Sequence, residues 1–465
     1  MKQSLITHFF LISSTLALAP LYACQPTPIV AVPTTLSTPG VYCLTQDFTA
    51  SSTLIIIGSN DIVLDLNSYS LNPTGKTDGI AFDGVLGRKN ITIKNGTLDG
   101  IKGGLNGIFI NAPVVVDTTV SSDPLRQHDI TLSHLYIRNF ALDGITTNTF
   151  LSFEIYEGKL YQDFYSLANI NIENCVVSSN LHGLEMYYAS SARIDNSTFN
   201  DNSLDGALLF QCGVNSEAGA RINNTIFSGS GFAGLFLGGC SNSIVSNCQF
   251  VGNYEGAVLK INGVVPCSSI SFDHCTSTLN SYGFYFEDVL GLKLIACQAS
   301  SCTYGFIFYP SFATDTMNDI TVAQCIAERN FGDGFSFSLK TNTLATVLEC
   351  IASGNNNFGF NFATNGGTGL VQSCKAVING KGGFSNGPNS LNRYVSNVAQ
   401  GNGPNPAGSK IPNSVADTNY GNNGVATFYT PATGGPGDLP FRQYGTTPSG
   451  LYPAGLTAWS NITLP

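Results

Sequence analysis

Charge is the scarcest commodity in this chain. Asp, Glu, Lys and Arg together make up 11% of 465 residues, against roughly a quarter in ordinary globular proteins. Basic residues are the scarcer sign. Twenty Lys and Arg face thirty Asp and Glu, for a net charge of −10 and a pI near 4.9. That balance argues against nucleic acid and against anionic membrane surfaces as partners. It also argues against a polyanionic ligand, unless a local basic patch or bound calcium offsets the charge. Histidine occurs five times, too few to favour a His-based metal centre. No metal-binding residue is therefore assigned and no cofactor is evident, with calcium held by carboxylates left open. A phosphate-binding glycine loop and paired zinc-ligand spacings are both missing.

Long apolar runs are missing as well, with one exception. Lys2 precedes an apolar stretch from Leu5 to Ala19, too short for a permanent membrane span and suited to a signal peptide over residues 1–23. Leu21-Tyr22-Ala23-Cys24 resembles a bacterial lipobox with an atypical Tyr22. Two expectations follow: ordinary cleavage after Ala23, or lipidation of Cys24, which would be the only membrane attachment. Either way the protein is expected to be exported, to the cell surface, the periplasm or the medium. Residues 24–40, rich in Pro and Thr, read as a tether.

What the chain has in abundance is repetition. Nine segments share a small central residue: Cys175, Ser197, Thr225, Cys248, Cys275, Cys297, Cys325, Cys350 and Cys374. Gly follows each centre eight or nine positions later, and Asn stands five positions later in seven of the nine. Successive centres lie 22 to 28 residues apart, a period that means stacked structural repeats. Runs such as Gly283-Phe284-Tyr285-Phe286 and Ile320-Thr321-Val322 alternate with period two, which argues strands, and helical spacing is nowhere sustained. Three short strands and their turns fit in one repeat at roughly 3.3 Å per residue.

That repeat resembles one coil of the right-handed parallel β-helix repeat family, the pectin-lyase-like superfold. The phrases running from Asn60 to Asn67 and from Lys89 to Leu98 resemble its opening coils. The resemblance implies an all-β solenoid of about a dozen coils over residues 41–405, with irregular terminal caps. Residues 406–465, Gly- and Pro-rich but holding Phe428, Tyr429, Phe441, Tyr444, Tyr452 and Trp459, read as a C-terminal cap or tail. Insertions interrupt the register at Ala112–Gln127 and Thr149–Phe164.

Stacking aligns like residues in rows. The centre cysteines then point inward as small hydrophobes rather than forming a redox or metal site. Cys240 and Cys267, each eight residues before a centre, are the pair best placed for a disulfide in an oxidising compartment.

Two rows carry candidate chemistry. The position before the recurrent Gly holds Asp143, His182 and Asp205 on consecutive coils, and Glu185 follows on the same strand as His182. Paired carboxyl groups beside an imidazole suit acid–base chemistry on a glycan. The competing reading is that Asp before Gly is turn chemistry, since it recurs at Asp78 and Asp333. The tandem Asp-Asp, Gly-His-Gly and Arg-Ile-Lys of polygalacturonases, the Trp-Ile-Asp-His of pectate lyases and the Tyr-Gly-Phe-Asp-Pro-His of epimerases are all absent. The second row faces outward from the strand after Gly and is unusually aromatic: Tyr187, Phe210, Phe236, Tyr285 and Tyr309. Such a row is either a platform for sugar rings or a protein partner, or a surface covered by the chain itself. The reading best supported at this level is a β-helix surface protein that binds a polysaccharide or a surface protein along its flank. A polysaccharide lyase or glycoside hydrolase comes next, and a purely structural spike after it.

Overall fold

A computed structural model describes residues 26–402, apart from 85–86, 102, 112–126, 148–152, 157–158, 163–166, 214–217, 262–264, 311–316, 340–342, 363–367, 387–391 and 401. The expected signal segment, Cys24 and the 406–465 tail lie outside the described residues, as does almost all of the first insertion.

Most coils contribute three strands, one to each of three parallel faces. The coil around Cys275 shows the plan: Cys267–Asp273 on the first face, Thr276–Thr278 on the second and Tyr282–Glu287 on the third. Fourteen strands line the third face, and the other two merge into one sheet of 28 strands among the described residues. They merge because Lys89–Asp99 and Gln127–Arg138 run through the bend without a break. The result is a parallel β-solenoid of about a dozen turns. In the second insertion, Phe153–Tyr156 and Lys159–Gln162 pair as an antiparallel hairpin. The stack starts earlier than composition suggests. Thr27–Ile29 pairs with the strand at Tyr42, and Thr34–Leu36 with Ile55–Ile57. Part of the stretch read as a tether is thus a first coil, held by inward Ile29 and Leu36.

The core is a set of columns. Alternation puts one side chain of each strand inside, and in-register stacking places like upon like. Phe284, Phe306, Phe335, Phe360 and Phe384 form a stack with centroids 4.7–5.0 Å apart, and Phe308, Phe337 and Phe362 a second at 4.5–4.6 Å. All nine centres are buried. Their role goes beyond filling space. Cys248, Cys275, Cys297, Cys325, Cys350 and Cys374 each direct Sγ to the carbonyl two residues back, at 3.2–3.5 Å. Ser197 and Thr225 do the same with their hydroxyls. The intervening residue has a left-handed backbone in each case, from Asn174 to Ser373. The centre is therefore a small donor that closes a turn, which is why Cys, Ser and Thr interchange there.

Asn residues turn the next corner. The Oδ1 atoms of Asn355, Asn379 and Asn402 accept the backbone N–H of Asn330, Asn355 and Asn379 one coil earlier, at 2.8–3.1 Å. Their Nδ2 groups donate to carbonyls of the preceding coil. The ladder satisfies polar groups that the bend would otherwise bury unpaired. The recurrent Gly has a different cause from a special φ: a Cβ on Gly183, Gly206, Gly256 or Gly305 would lie 2.3–2.5 Å from the carbonyl oxygen of the Gly one coil on. The glycines stack too closely for any side chain.

Cys240 and Cys267 occupy an inner column with Cys212, all completely buried and all free thiols. The expected disulfide is not formed. Their thiols point to the carbonyls of Leu209 and Leu237 instead. Stacked parallel side chains repeat at about 4.8 Å, wider than the roughly 3.8 Å between β-carbons that a disulfide takes.

Candidate functional site

The third face gathers the candidate residues. Asp143 and His182 are register partners on neighbouring strands, Asp143–Thr147 and His182–Tyr187. Asp205 stands on the coil after that, with His182 Nδ1 3.1 Å from its Oδ2. Thr146 is the register partner of Glu185 and donates to Glu185 Oε2 at 3.2 Å. Tyr187 donates its hydroxyl to Glu185 Oε1 at 2.8 Å. Asp143, His182, Asp205, Glu185 and Tyr187 therefore form one cluster, as their spacing predicts.

Hydrogen bonding separates the turn residues from the rest. Asp205 Oδ1 accepts the N–H of Ala233 one coil on, and Asp333 Oδ1 accepts that of Phe358, both at 3.0 Å. Asn106 does the same for Asp143. These residues are corner pieces, and turn chemistry accounts for them. Asp143 is not: its Oδ1 is buried with no hydrogen-bond partner among the described residues. Burial, together with the negative charge of Glu185 and its acceptance of the Asp143 proton, pushes the Asp143 carboxyl up to about 7. For His182, burial opposes the charged form, but contact with Asp205 and the fields of Asp205, Asp143 and Glu185 outweigh it and raise its pKa. The cluster thus holds a proton near neutrality beside a second carboxylate.

The aromatic row continues from this cluster along the stack. The Tyr187 ring stacks on Phe210 at 5.0 Å, and Phe210 meets Phe236 edge-on at 5.6 Å. Gly238 makes room, since a Cβ there would lie 2.4 Å from the Phe210 ring. Lys260, which alternation places on the same outward face, is the hub. Its Nζ lies 5.0 Å from the Tyr285 ring centre, 5.5 Å from Phe232 and 6.0 Å from Phe236, and 3.8 Å from Glu255 Oε2. Tyr285 in turn donates to Glu287. The row is a half-buried mosaic rather than a flat exposed sheet. Leu208 and Val258, which also face outward, are buried between the rings, and Tyr309 alone of the predicted five is exposed.

Sequence reasoning also passes over a neighbouring stripe at the Asn corner. Phe232, Tyr254, Tyr282 and Tyr304 follow one another on consecutive coils at 5.7–6.2 Å. The available signal was an aromatic residue one or two places after the ladder position. Among the described residues no group of three or more His, Cys, Asp or Glu is arranged to hold a metal ion, and no helix is long and apolar enough to cross a membrane.

Residues 163–318 match the family model described as a right-handed β-helix region. Among solved structures, the chain is similar to the A-module of mannuronan C-5 epimerase AlgE4 from Azotobacter vinelandii. That match has 11% identity and a TM-score of 0.39, covering 79% of this chain and 85% of that one. Tailspike protein 2 of the Escherichia coli O157:H7 bacteriophage CAB120 matches at 13% identity and a TM-score of 0.34, over 71% of this chain and 38% of that one. Likeness at these levels carries nothing about chemistry. No curated protein matches the chain. In fold, the protein is a right-handed parallel β-helix.

Proposed function

We propose that this protein is exported and binds a glycan on its third face, with sugar rings laid along the strip from Tyr187 to Tyr309. The observation that carries the reading is the continuity of that strip. Half-buried rings on four coils, with Lys260 on the coil between Phe236 and Tyr285, adjoin the carboxylates Glu185 and Glu287. Aromatic faces cover the apolar side of a sugar while charged and hydroxyl groups beside them take its hydroxyls.

A second reading rests on a separate observation: Asp143 holds a proton near pH 7 next to Glu185. An acid and a base in that relation suit lyase or hydrolase chemistry at one end of the strip.

The test is retention of the purified protein on a panel of polysaccharides, read together with new reducing or unsaturated ends. Replacing Phe210, Phe236 and Tyr285 by Ala should abolish retention, and Tyr309→Ala, at an exposed ring, should weaken it without loss of stability. Retention unchanged in both variants overturns the binding reading. Cleavage that is lost in Glu185→Gln while retention persists establishes the second reading.

A further inference from the structure

The first face carries a groove of ≈ 990 Å³. Its floor is one outward row in register over successive coils: Ile244, Ser271, Lys293, Thr321, Thr346 and Leu370, ending at Arg393. Arg221 extends the row one coil beyond Ile244. Arg221, Lys293 and Arg393 are exposed, and none has a carboxylate partner among the described residues. Five other cations are paired with acids: Arg88 with Asp83, Lys94 with Asp65, Arg138 with Asp99, Lys260 with Glu255, and Arg193, the register neighbour of Arg221, with Asp195. In a chain of net charge −10, three unpaired cations on one row are the local basic patch that its composition otherwise denies.

We propose that this groove binds an extended, sparsely anionic polysaccharide. Three coil steps separate Arg221 from Lys293 and four separate Lys293 from Arg393, or about 14 Å and about 19 Å at the strand spacing. A duplex nucleic acid presents a charge every ~1.7 Å, far denser than these cations can match, and the net charge of the protein repels it. A glycan with carboxylates on only some of its sugars matches the spacing. Between the cations, the hydroxyls of Ser271, Thr321 and Thr346 face the groove as donors and acceptors for sugar hydroxyls, and Ile244 and Leu370 offer apolar contact. Asp319 is the one acid on the lining and disfavours a chain charged at every unit. The groove lies on a different face from the strip proposed above and does not depend on it.

The experiment compares binding of a hyaluronan oligosaccharide (a carboxylate on alternate sugars), a heparin fragment (densely anionic) and a neutral chitin oligosaccharide to the full protein at two salt concentrations. Hyaluronan should bind tightest, and its affinity should fall with salt. Replacing Arg221, Lys293 and Arg393 by Gln should lower it by roughly tenfold or more. Lys293→Glu, a single exchange at an exposed side chain, should lower it too and serves if the triple variant melts early. Thr321→Trp should block the groove. The third-face variant lacking Phe210, Phe236 and Tyr285 rings should bind hyaluronan as before. Tighter binding of heparin, tighter binding of the neutral chain that persists in the third-face variant, affinity unchanged in the charge variants, or loss confined to the third-face variant overturns the proposal.

Discussion

At the scale of single residues, the chain reuses a few side chains for one purpose each. The centre position wants a small inward donor, so its substitutions are predictable. Cys325→Ser keeps the bond to the Ala323 carbonyl and should cost little. Cys325→Ala loses a weak bond and some packing, about 1 kcal/mol. Cys325→Asp buries a carboxyl group among apolar neighbours and should cost several kcal/mol. Urea midpoints rank the three, and equal midpoints would mean that the row is not buried. Other corner positions are less well chosen. Leu279 has a left-handed backbone, φ 60°, with its side chain 66% exposed. A non-Gly residue in that region costs about 1 kcal/mol or more, and Asn tolerates it best. Leu279→Asn should therefore raise the melting temperature, and a fall would show that the Leu side chain packs usefully. These corners were not legible in the sequence. The left-handed sites include Ala296, Glu349, Leu279 and Ile378, residues that carry no turn signal and are held there by ladders on either side.

At the scale of the strands, stacking brings Asp143, His182, Glu185 and Asp205 together, and their titration should appear in stability. Burial and Glu185 raise the Asp143 carboxyl to about 7, well above its value in an unfolded chain. Between about pH 4 and 7 the folded protein keeps a proton that the unfolded chain has lost, so stability should fall as pH rises through that window. His182, also raised, adds in the same direction: its protonated form favours the fold at low pH, and this contribution disappears above its folded pKa. Glu185→Gln removes a negative neighbour but leaves the burial, so the decline should become shallower without vanishing. Unfolding free energies at pH 5 and pH 8 for both proteins check this, and identical slopes would mean that the carboxyl groups do not share a proton. The rows themselves were readable from period and alternation. Which Asp is a corner piece was not, because that depends on whether a carboxylate finds the next coil's N–H, as Asp205 and Asp333 do and Asp143 does not.

At the scale of the whole molecule, the solenoid offers long flanks, and the two proposed binding surfaces occupy different ones. Address is a separate matter. The Leu21-Tyr22-Ala23-Cys24 segment motivates a direct test. If Cys24 is lipidated, Cys24→Ser should move the protein from the membrane fraction to the soluble one, or stall its maturation. Unchanged fractionation and a mature N-terminus without lipid mass would leave simple secretion as the route.

The sequence by itself determined the architecture, because a solenoid is written locally. Nine coils carry their own small centre and close-packed Gly, and seven of them the corner Asn, so the pattern recurs along most of the stack. It also determined which residues share a row, since register follows from the period. Three things depended on the tertiary structure. The first coil at Thr27–Ile29 and Thr34–Leu36 lacks the repeat signature and is recruited by pairing with the coil above it. Lys260 and the rings around it form a cage through side-chain reach across coils, which period does not encode. Pairing decided the rest: only the structure shows that Arg221, Lys293 and Arg393 have no carboxylate partner among the described residues and that their row floors a groove.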